Sequence, residues 1–560
     1  MALMDEYRVG EDGPWSAIEA AHLWRRAGFG GTPEEVAAAV GDGSQEAFLA
    51  IVDALVSYLP QDPNLDAPSG PGPWGGPIDG LPDDPEDDDE NTTNEGQTKR
   101  PRSDRRLESH LFYRMFYTSQ PLQEQFNQFL HDHFVSEFPK VEQVISQYQR
   151  SIDRRQATSE QLLVQNKLLR ETGIDRFSDT LREVSRNAAM LIYLDNWLNG
   201  SGDGRAQENY AREIMELFSM GVDNYSEEDV REIAKSLTGE TLDGFRDDGS
   251  NDAFDHRFRD GNHVEGDKTV FGQIVSEDME GGELLQIIDL ILSKRSVQPD
   301  VSGLAAPYND LPAAAVYMSW KLLRWFVNQN ISLDPPDQAV LELADYMRGT
   351  DDGEYPLRRF PYDLRACMRK LLTSQCFYNI DNFFAITKTP ADFCVSALRL
   401  SQAAVGVSPE DFDYNRGIYG DAPINRMRGM GMQLFNPPDV SGWRQGRPWI
   451  NAEYLLTRYY FLERITRSHD GWGLSDQDID DLQILNGGTL DPSDYESIMN
   501  YLITVIVQDD IEVWAPGSTS QLMAYMNEAA AEENNANRRF RRQVRGLIFL
   551  LMSLPMWQMK

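Results

Sequence analysis

The sequence predicts an all-α protein of many short helices, with loop or short-strand excursions and a disordered acidic insertion. The first observation behind this is a repeated helix-start pattern, in which Ser or Thr precedes an acidic residue by three positions. The second is that apolar residues recur at helical spacing, as at Leu122, Phe126 and Phe129. The third is that alternating β-branched runs, which strands require, are scarce.

The helix starts follow one another in chain order. Ser16 and Glu19 form a capping box, and Gly28 is positioned to end the helix that the box opens. Thr32 and Glu35 open the next helix, with proline between them at its first position. The same pattern predicts further helix starts at 226–229, 389–392 and 408–411.

Three stretches break the helical pattern. Residues 61–106 are rich in Pro, Gly, Asp, Glu and Asn, and such a stretch cannot bury enough apolar surface to offset its ordering entropy. Residues 241–280 predict an irregular loop or a short hairpin, and 435–450 a loop of Pro, Gly and Trp. The predicted organisation is an N-terminal helical segment that packs on the body at 1–60, the insertion at 61–106, a helical region at 107–240, the irregular segment at 241–280, a helical region at 281–465 and C-terminal helices at 466–560.

The formal net charge of −38 restricts the partners of this protein. An acidic surface repels phosphates, which excludes a broad electrostatic grip on nucleic acid or anionic lipid, whereas cations and neutral sugars remain compatible. No apolar run is long enough to span a bilayer. The first residues carry no basic segment followed by an apolar one, so the sequence as written predicts a cytoplasmic protein. None of the three cysteines lies in a C-x-x-C pair, which disfavours a thiolate zinc site.

Two histidines occur near the end of the helix predicted at 121–137. His133 falls on the apolar stripe, whereas His131 sits about 200° around the helix from it. The pair can therefore bind one metal ion only at a helix end or with ligands from elsewhere. The alternative is a buried, hydrogen-bonded His133 and an exposed His131.

Glu213 and Glu216 stand three residues apart on one helix face and are the candidate catalytic residues. Paired carboxylates can bind a metal or divide the roles of acid and base between them. The alternative is a salt-bridged face, because Arg212 lies four residues from both Glu208 and Glu216.

A metal site is the most specific hypothesis that these residues allow. His263 lies in a loop, a suitable place for a ligand or a turn, and Asp195 and Arg212 are candidates to orient ligands from a second layer. Mixed imidazole and carboxylate ligands favour a divalent metal such as Zn, Mn or Fe. The predicted members of this site are His131, His133, Glu213, Glu216 and His263.

Trp443 and Trp449 lie in the glycine-containing loop. Two indoles can offer stacking faces to a sugar, which makes the pair a candidate carbohydrate site. The alternative is a loop that fills the helical core. The sequence contains no nucleophile elbow, Walker A, dinucleotide-binding or H-E-x-x-H motif, so it does not predict nucleophilic serine or cysteine chemistry.

Five sequence blocks follow one another along the chain: HLWRRAGFG at 22–30 with TPEE at 32–35, HDHF at 131–134, ENYAREIMELF at 208–218, HVEGDKTVFG at 263–272 and LFNPPDVSGWRQGRPWI at 434–450. In this order they resemble the blocks of the bacterial domain-of-unknown-function 1800 family. The resemblance covers nearly the whole chain, apart from the acidic insertion and about the last eighty residues. Val264 stands where the family pattern has Asp beside the histidine, which removes one candidate ligand.

The resemblance implies no activity, but it does imply a location and a partner. Members of this family are commonly exported, so a periplasmic or extracellular location is the alternative to the cytoplasm. They are often encoded beside a protein related to sulfatases and phosphatases, which is therefore a candidate partner. Three functional hypotheses follow: a metal-dependent hydrolase or oxidoreductase with a His/Glu cluster, a non-catalytic carbohydrate- or protein-binding scaffold, and a subunit that is active only with its partner.

Overall fold

Helices dominate the computed structural model, which confirms the all-α prediction. The predicted insertion at 61–106 lies largely outside the described residues, as does the helix start predicted at 408–411. The structure describes residues 3–62, 65, 103–148, 154–202, 206–243, 254–277, 282–349, 361–401, 423–467, 474, 476, 479–480 and 491–560.

Local capping sets the first helices. The capping boxes of Ser16 with Glu19 and of Thr32 with Glu35 are both present, as the sequence predicts. The helices of the first half are α1 (Ala17–Ala27), α2 (Pro33–Val40), α3 (Gln45–Val56), α4 (Ser103–Tyr117), α5 (Pro121–His133), α6 (Phe138–Tyr148), α7 (Arg154–Thr172), α8 (Phe177–Arg186), α9 (Ala188–Tyr193), α10 (Glu208–Glu216) and α11 (Glu227–Ser236).

The second half continues in the same way. Ser226 and Asp229 form the capping box predicted before α11, and Thr389 and Asp392 exchange hydrogen bonds at the start of a later helix. The helices that follow α11 are α12 (Gly282–Ser293), α13 (Pro299–Ser302), α14 (Ala313–Phe326), α15 (Gln338–Met347), α16 (Leu364–Leu372), α17 (Pro390–Ser401), α18 (Pro423–Gly429), α19 (Ala452–Thr466), α20 (Tyr495–Leu502), α21 (Ile511–Trp514), α22 (Ser518–Glu532) and α23 (Ala536–Ser553).

Two small antiparallel sheets lie in the segment predicted to be irregular. Strand β1 (Glu240–Leu242) pairs with β2 (His256–Phe258), and β3 (Lys268–Val270) pairs with β4 (Gln273–Val275). The expectation of a loop or short hairpin at 241–280 agrees with this arrangement in the residues that the structure describes.

Two large apolar cores meet at the end of α5. Leu130 and Phe134 belong to the first core, whereas the next residue, Val135, belongs to the second. Tyr193, at the end of α9, packs against both cores. The last turn of α5 therefore lies at the junction between them. No helix among the described residues combines the length and the hydrophobicity that a membrane crossing requires.

Candidate acid–base site

The two histidines of α5 are packed in the interior. His131 Nε2 accepts a hydrogen bond from the backbone N–H of Phe435 at 3.3 Å, and His133 Nε2 donates one to the carbonyl of Phe218 at 2.9 Å. Burial lowers the pKa of each imidazole to about 3, so both are neutral at physiological pH. The expected exposure of His131 is wrong, because it is only 3% exposed under the loop that carries Phe435.

Asp132, between the histidines, anchors that loop. Its Oδ1 accepts a hydrogen bond from the backbone N–H of Trp443 at 2.7 Å, and its Oδ2 accepts one from Gln445 Nε2 at 3.0 Å. Burial raises the pKa of Asp132 to about 6, although the nearby Lys321 and the two hydrogen bonds oppose the increase. This carboxyl group therefore titrates close to neutral pH.

Glu213 and Glu216 lie one turn apart on a partly exposed face of α10. The pKa of Glu213 is raised to about 7, mainly by burial and then by the charge of Glu216, while Arg212 opposes the increase. The Glu216 carboxylate accepts a hydrogen bond from the hydroxyl of Tyr225. At pH 7 a Glu213 carboxyl group that is about half protonated thus lies beside Glu216.

Arg212 and Asp195 have partners outside this carboxyl pair. Arg212 donates two hydrogen bonds to Glu227, at 2.7 and 2.8 Å, and lies 3.8 Å from Glu208. Asp195 has a left-handed backbone (φ 59°) and accepts a hydrogen bond from Lys140 Nζ at 2.8 Å. Arg212 thus forms the expected pair with Glu208, whereas its closest partner is Glu227 and not Glu216. The predicted roles of Arg212 and Asp195 in orienting a ligand stay predictions.

Tyr317 of α14 links the three carboxyl groups electrostatically. Its pKa is raised by burial and then by the negative charges of Glu216, Glu213 and Asp132. Lys321 lies one turn along α14, with its Nζ 5.5 Å from the centroid of the Tyr317 ring. Burial lowers the pKa of Lys321, and the neighbouring Asp132 opposes that decrease. Tyr317 therefore lies within electrostatic reach of all three carboxyl groups, and Lys321 interacts with one of them, Asp132.

Tyr193 faces the same acidic surroundings from α9. Burial raises its pKa to about 12, with further contributions from the carboxylates of Glu137, Asp439 and Glu213. Because Tyr193 packs against both cores, the polar site lies where the cores meet. Such surroundings suit an uncharged or cationic ligand better than an anion.

His263 lies in a different environment. Its Nδ1 is 2.8 Å from the carbonyl oxygen of Thr238, and its Nε2 is 3.1 Å from both Lys268 Nζ and Glu283 Oε1. When Nδ1 donates its proton to Thr238, Nε2 is left to accept from Lys268. Both ring nitrogens thus have protein partners.

The predicted metal ligands do not form a common coordination sphere in the part of the chain that the structure describes. No group of three or more His, Cys, Asp or Glu side chains is positioned there to hold a metal ion. The physical reason is that Nε2 of His131 and of His133 is bonded to the backbone and Nε2 of His263 lies against Lys268 and Glu283. The expected Zn, Mn or Fe cofactor stays a prediction.

Trp443 and Trp449 are core residues. Each is 4% exposed, and both belong to the second apolar core. Buried indoles present no open face on which a sugar can stack, so the loop at 435–450 fills the core, which is the alternative that the sequence left open.

Five residues of the site were missed by the sequence reasoning: Asp132, Tyr193, Tyr225, Tyr317 and Lys321. A signal was available for the last two, because a tyrosine and a lysine four residues apart interrupt a helix that is otherwise largely apolar. Asp132 gave no such signal, because its partners lie more than three hundred residues away.

Together, the fold and the site define a helical protein with a carboxyl-based polar site at the junction of two cores. Residues 22–559 match the model of the family described as "protein of unknown function (DUF1800)", and the chain belongs to that family. The resemblance carried by the five sequence blocks is confirmed. No curated protein and no solved structure matches the chain. The family description names no activity.

Proposed function

We propose that this protein is an acid–base hydrolase with Glu213 and Glu216 as its catalytic pair and glycosidic bonds as its substrate class. The proposal is supported by two carboxyl groups one turn apart on α10, one of which, Glu213, has a pKa raised to about 7 by burial and by the charge of its neighbour. Enzymes commonly divide the roles of acid and base by giving two neighbouring carboxyl groups different environments.

Each member of the pair has a role that suits its environment. Glu213, about half protonated at pH 7, donates its proton to the leaving oxygen of the substrate as the glycosidic C–O bond breaks. Glu216, whose carboxylate is oriented by the Tyr225 hydroxyl, acts as the base or the nucleophile. Helix positions three residues apart have Cβ atoms roughly 5–6 Å apart. Carboxyl groups at that spacing can approach the separation of about 5–5.5 Å that retaining glycosidases use.

The surroundings favour an uncharged substrate. Asp132 and the net charge of −38 repel anions such as phosphate esters. The charge of Asp132 favours the protonated form of Lys321 and partly balances its positive charge. In the proposed enzyme the Lys321 ammonium group binds a substrate hydroxyl or stabilises developing negative charge. A glycoside is uncharged and also offers hydroxyl groups to Lys321.

A metal-dependent hydrolase or oxidoreductase at His131, His133 and His263 is the alternative. Residue types in the sequence support it, whereas the hydrogen-bond partners of these rings do not. Elemental analysis of protein purified without chelator distinguishes the two. One tightly bound metal ion per chain, lost in a His131→Ala/His133→Ala variant, would favour the alternative.

The proposed activity is tested with a panel of disaccharides and alkyl glycosides, because their alcohol leaving groups need a proton from the enzyme, whereas an activated leaving group such as 4-nitrophenolate does not. The wild type hydrolyses at least one member, and Glu213→Gln lowers kcat by at least about 100-fold because the proton donor is lost. Glu208→Gln is the matched control, since it makes the same change on the same helix but alters a partly exposed partner of Arg212. Its kcat stays at the wild-type value.

Two results would contradict the proposal. One is a folded Glu213→Gln variant that turns over as fast as the wild type. The other is a folded wild type that hydrolyses no glycoside of the panel across pH 5 to 8.

A further inference from the structure

A second polar region surrounds a cavity of about 480 Å³ between the two small sheets, α8, α11 and the start of α12. It shares no residue with the acid–base site. Its volume is within the range of small-molecule sites in proteins. Side chains that define its chemistry are Glu240, Phe258, Asp260, Glu265, Glu277 and Glu283.

The wall of this cavity is strongly acidic. It carries five carboxyl groups and a single arginine, Arg186. Arg186 lies 3.7 Å from Glu240, and Lys268 approaches Glu283 Oε1 at 2.6 Å from behind the wall. The two cations Arg186 and Lys268 are set against five carboxyl groups, so acidic side chains exceed basic Lys and Arg side chains by three. The cavity therefore repels anions and attracts cations.

Buried polar atoms at this cavity lack a partner within the protein. Ser236 is 4% exposed and its hydroxyl has no hydrogen-bond partner, and the same holds for Oε2 of Glu283, whose side chain is 5% exposed. Buried polar groups are nearly always hydrogen-bonded, so these two oxygens, which can accept, point to a ligand that donates to them. The Nε of Arg186, which is a donor, also lacks a partner and is not one that a cation can satisfy.

An apolar face completes the site. Phe258 is 44% exposed, which is unusual for a phenylalanine, and its ring lies 5.3 Å from that of His263. An exposed aromatic ring in an acidic cavity attracts an organic cation through its face as well as through its apolar area.

We propose that this cavity binds a small organic compound with a primary ammonium group. The ammonium donates to Glu283 Oε2 and the Ser236 hydroxyl, and its carbon chain packs on Phe258. A bare metal ion fits less well, since among the described residues no three carboxylate or imidazole groups are close enough to hold one. The inference is independent of the proposed hydrolase activity.

Calorimetric titration with putrescine, in buffer containing sodium chloride to suppress non-specific attraction, tests the proposal. Putrescine binds at one saturable site, and 1,4-butanediol, which has nearly the same shape without the charge, does not. Glu283→Gln weakens putrescine binding by at least roughly tenfold, because a charge-assisted hydrogen bond is lost. Glu46→Gln, which removes one exposed carboxylate from α3 instead, leaves the affinity unchanged.

A second variant keeps the test decisive if Glu283→Gln fails to fold once Lys268 loses its partner. Phe258→Ser changes an exposed side chain and weakens putrescine binding by roughly 2- to 5-fold. The proposal is overturned if butanediol binds as tightly as putrescine, or if magnesium competes with putrescine at equal concentration. It is also overturned if Phe258→Ser and Glu46→Gln show the same affinity.

Discussion

Burial sets the ionisation of the residues at the end of α5 and on α10. It raises the pKa of Glu213 and Asp132 and lowers the pKa of His131 and His133, and in each case the uncharged form is favoured. The consequences for stability have opposite signs. Charging the carboxyl groups destabilises the fold as the pH rises, whereas charging the imidazoles destabilises it as the pH falls.

The histidines give a prediction at this scale. Between pH 6.5 and about 3 the unfolded chain binds protons that folded His133 does not, so stability falls with falling pH throughout this window. The variant His133→Gln lacks this contribution. As the pH falls, its free energy of unfolding therefore decreases by about 1.4 kcal/mol per pH unit less than that of the wild type. Chemical denaturation from pH 4 to 8 measures how the free energy of unfolding of each protein depends on pH. At pH 8 the histidine is neutral in the folded and the unfolded state, so the difference between variant and wild type there measures only the change in packing and hydrogen bonding. Parallel curves for variant and wild type would refute the account.

At the scale of elements, the sequence predicted what local chemistry determines. The starts of α1 and α2 depend on capping groups three residues apart, and the juxtaposition of Glu213 and Glu216 depends only on helical spacing. These features need no information from distant parts of the chain.

The environment of the last turn of α5 could not be predicted in the same way. His131 is buried and Asp132 is hydrogen-bonded because the loop at 435–450 returns to this helix, and no local pattern encodes that contact. The same loop buries the two tryptophans that the sequence offered as a sugar-stacking pair. Long-range packing therefore determines that Asp132 of the HDHF block belongs to the polar site, whereas His131 is buried under the loop.

Gly442 provides the prediction at this scale. It has a φ of +85°, and a Cβ there would lie 2.4 Å from the carbonyl oxygen of Asp132. Gly442→Ala therefore destabilises the protein through both backbone strain and collision with α5. Gly517→Ala is the matched control, since Gly517 has a φ of +82° but open space around it. We expect Gly442→Ala to lower the free energy of unfolding by about 1–3 kcal/mol more than the control does. Equal losses in the two variants would argue against close packing of the loop on Asp132.

At the scale of the whole molecule, charge repulsion opposes compactness. There are 90 acidic residues against 52 Lys and Arg, so the folded chain gathers a large excess of negative charge. Dissolved ions screen such repulsion over about 10 Å at 0.1 M salt and about 3 Å at 1 M. The same excess keeps anionic ligands away from both polar regions described above.

Stability should consequently increase with salt. We expect the Tm to rise from low to molar sodium chloride, because screening weakens repulsion within the folded state more than within the expanded unfolded chain. Differential scanning calorimetry at a fixed pH of 7 measures the change. A Tm that stays constant or decreases over this range would show that repulsion does not limit stability.

The central claim is that Glu213 titrates near neutral pH in the folded protein. Carbon-13 NMR of protein labelled at the glutamate side-chain carboxyl measures this directly, and the signal that Glu213→Gln removes identifies the residue. The account predicts a midpoint of about 7 for that signal, set by burial and by the charge of Glu216. A midpoint at or below about 4.5, the ordinary range for a glutamate, would contradict the assignment of Glu213 as the proton donor.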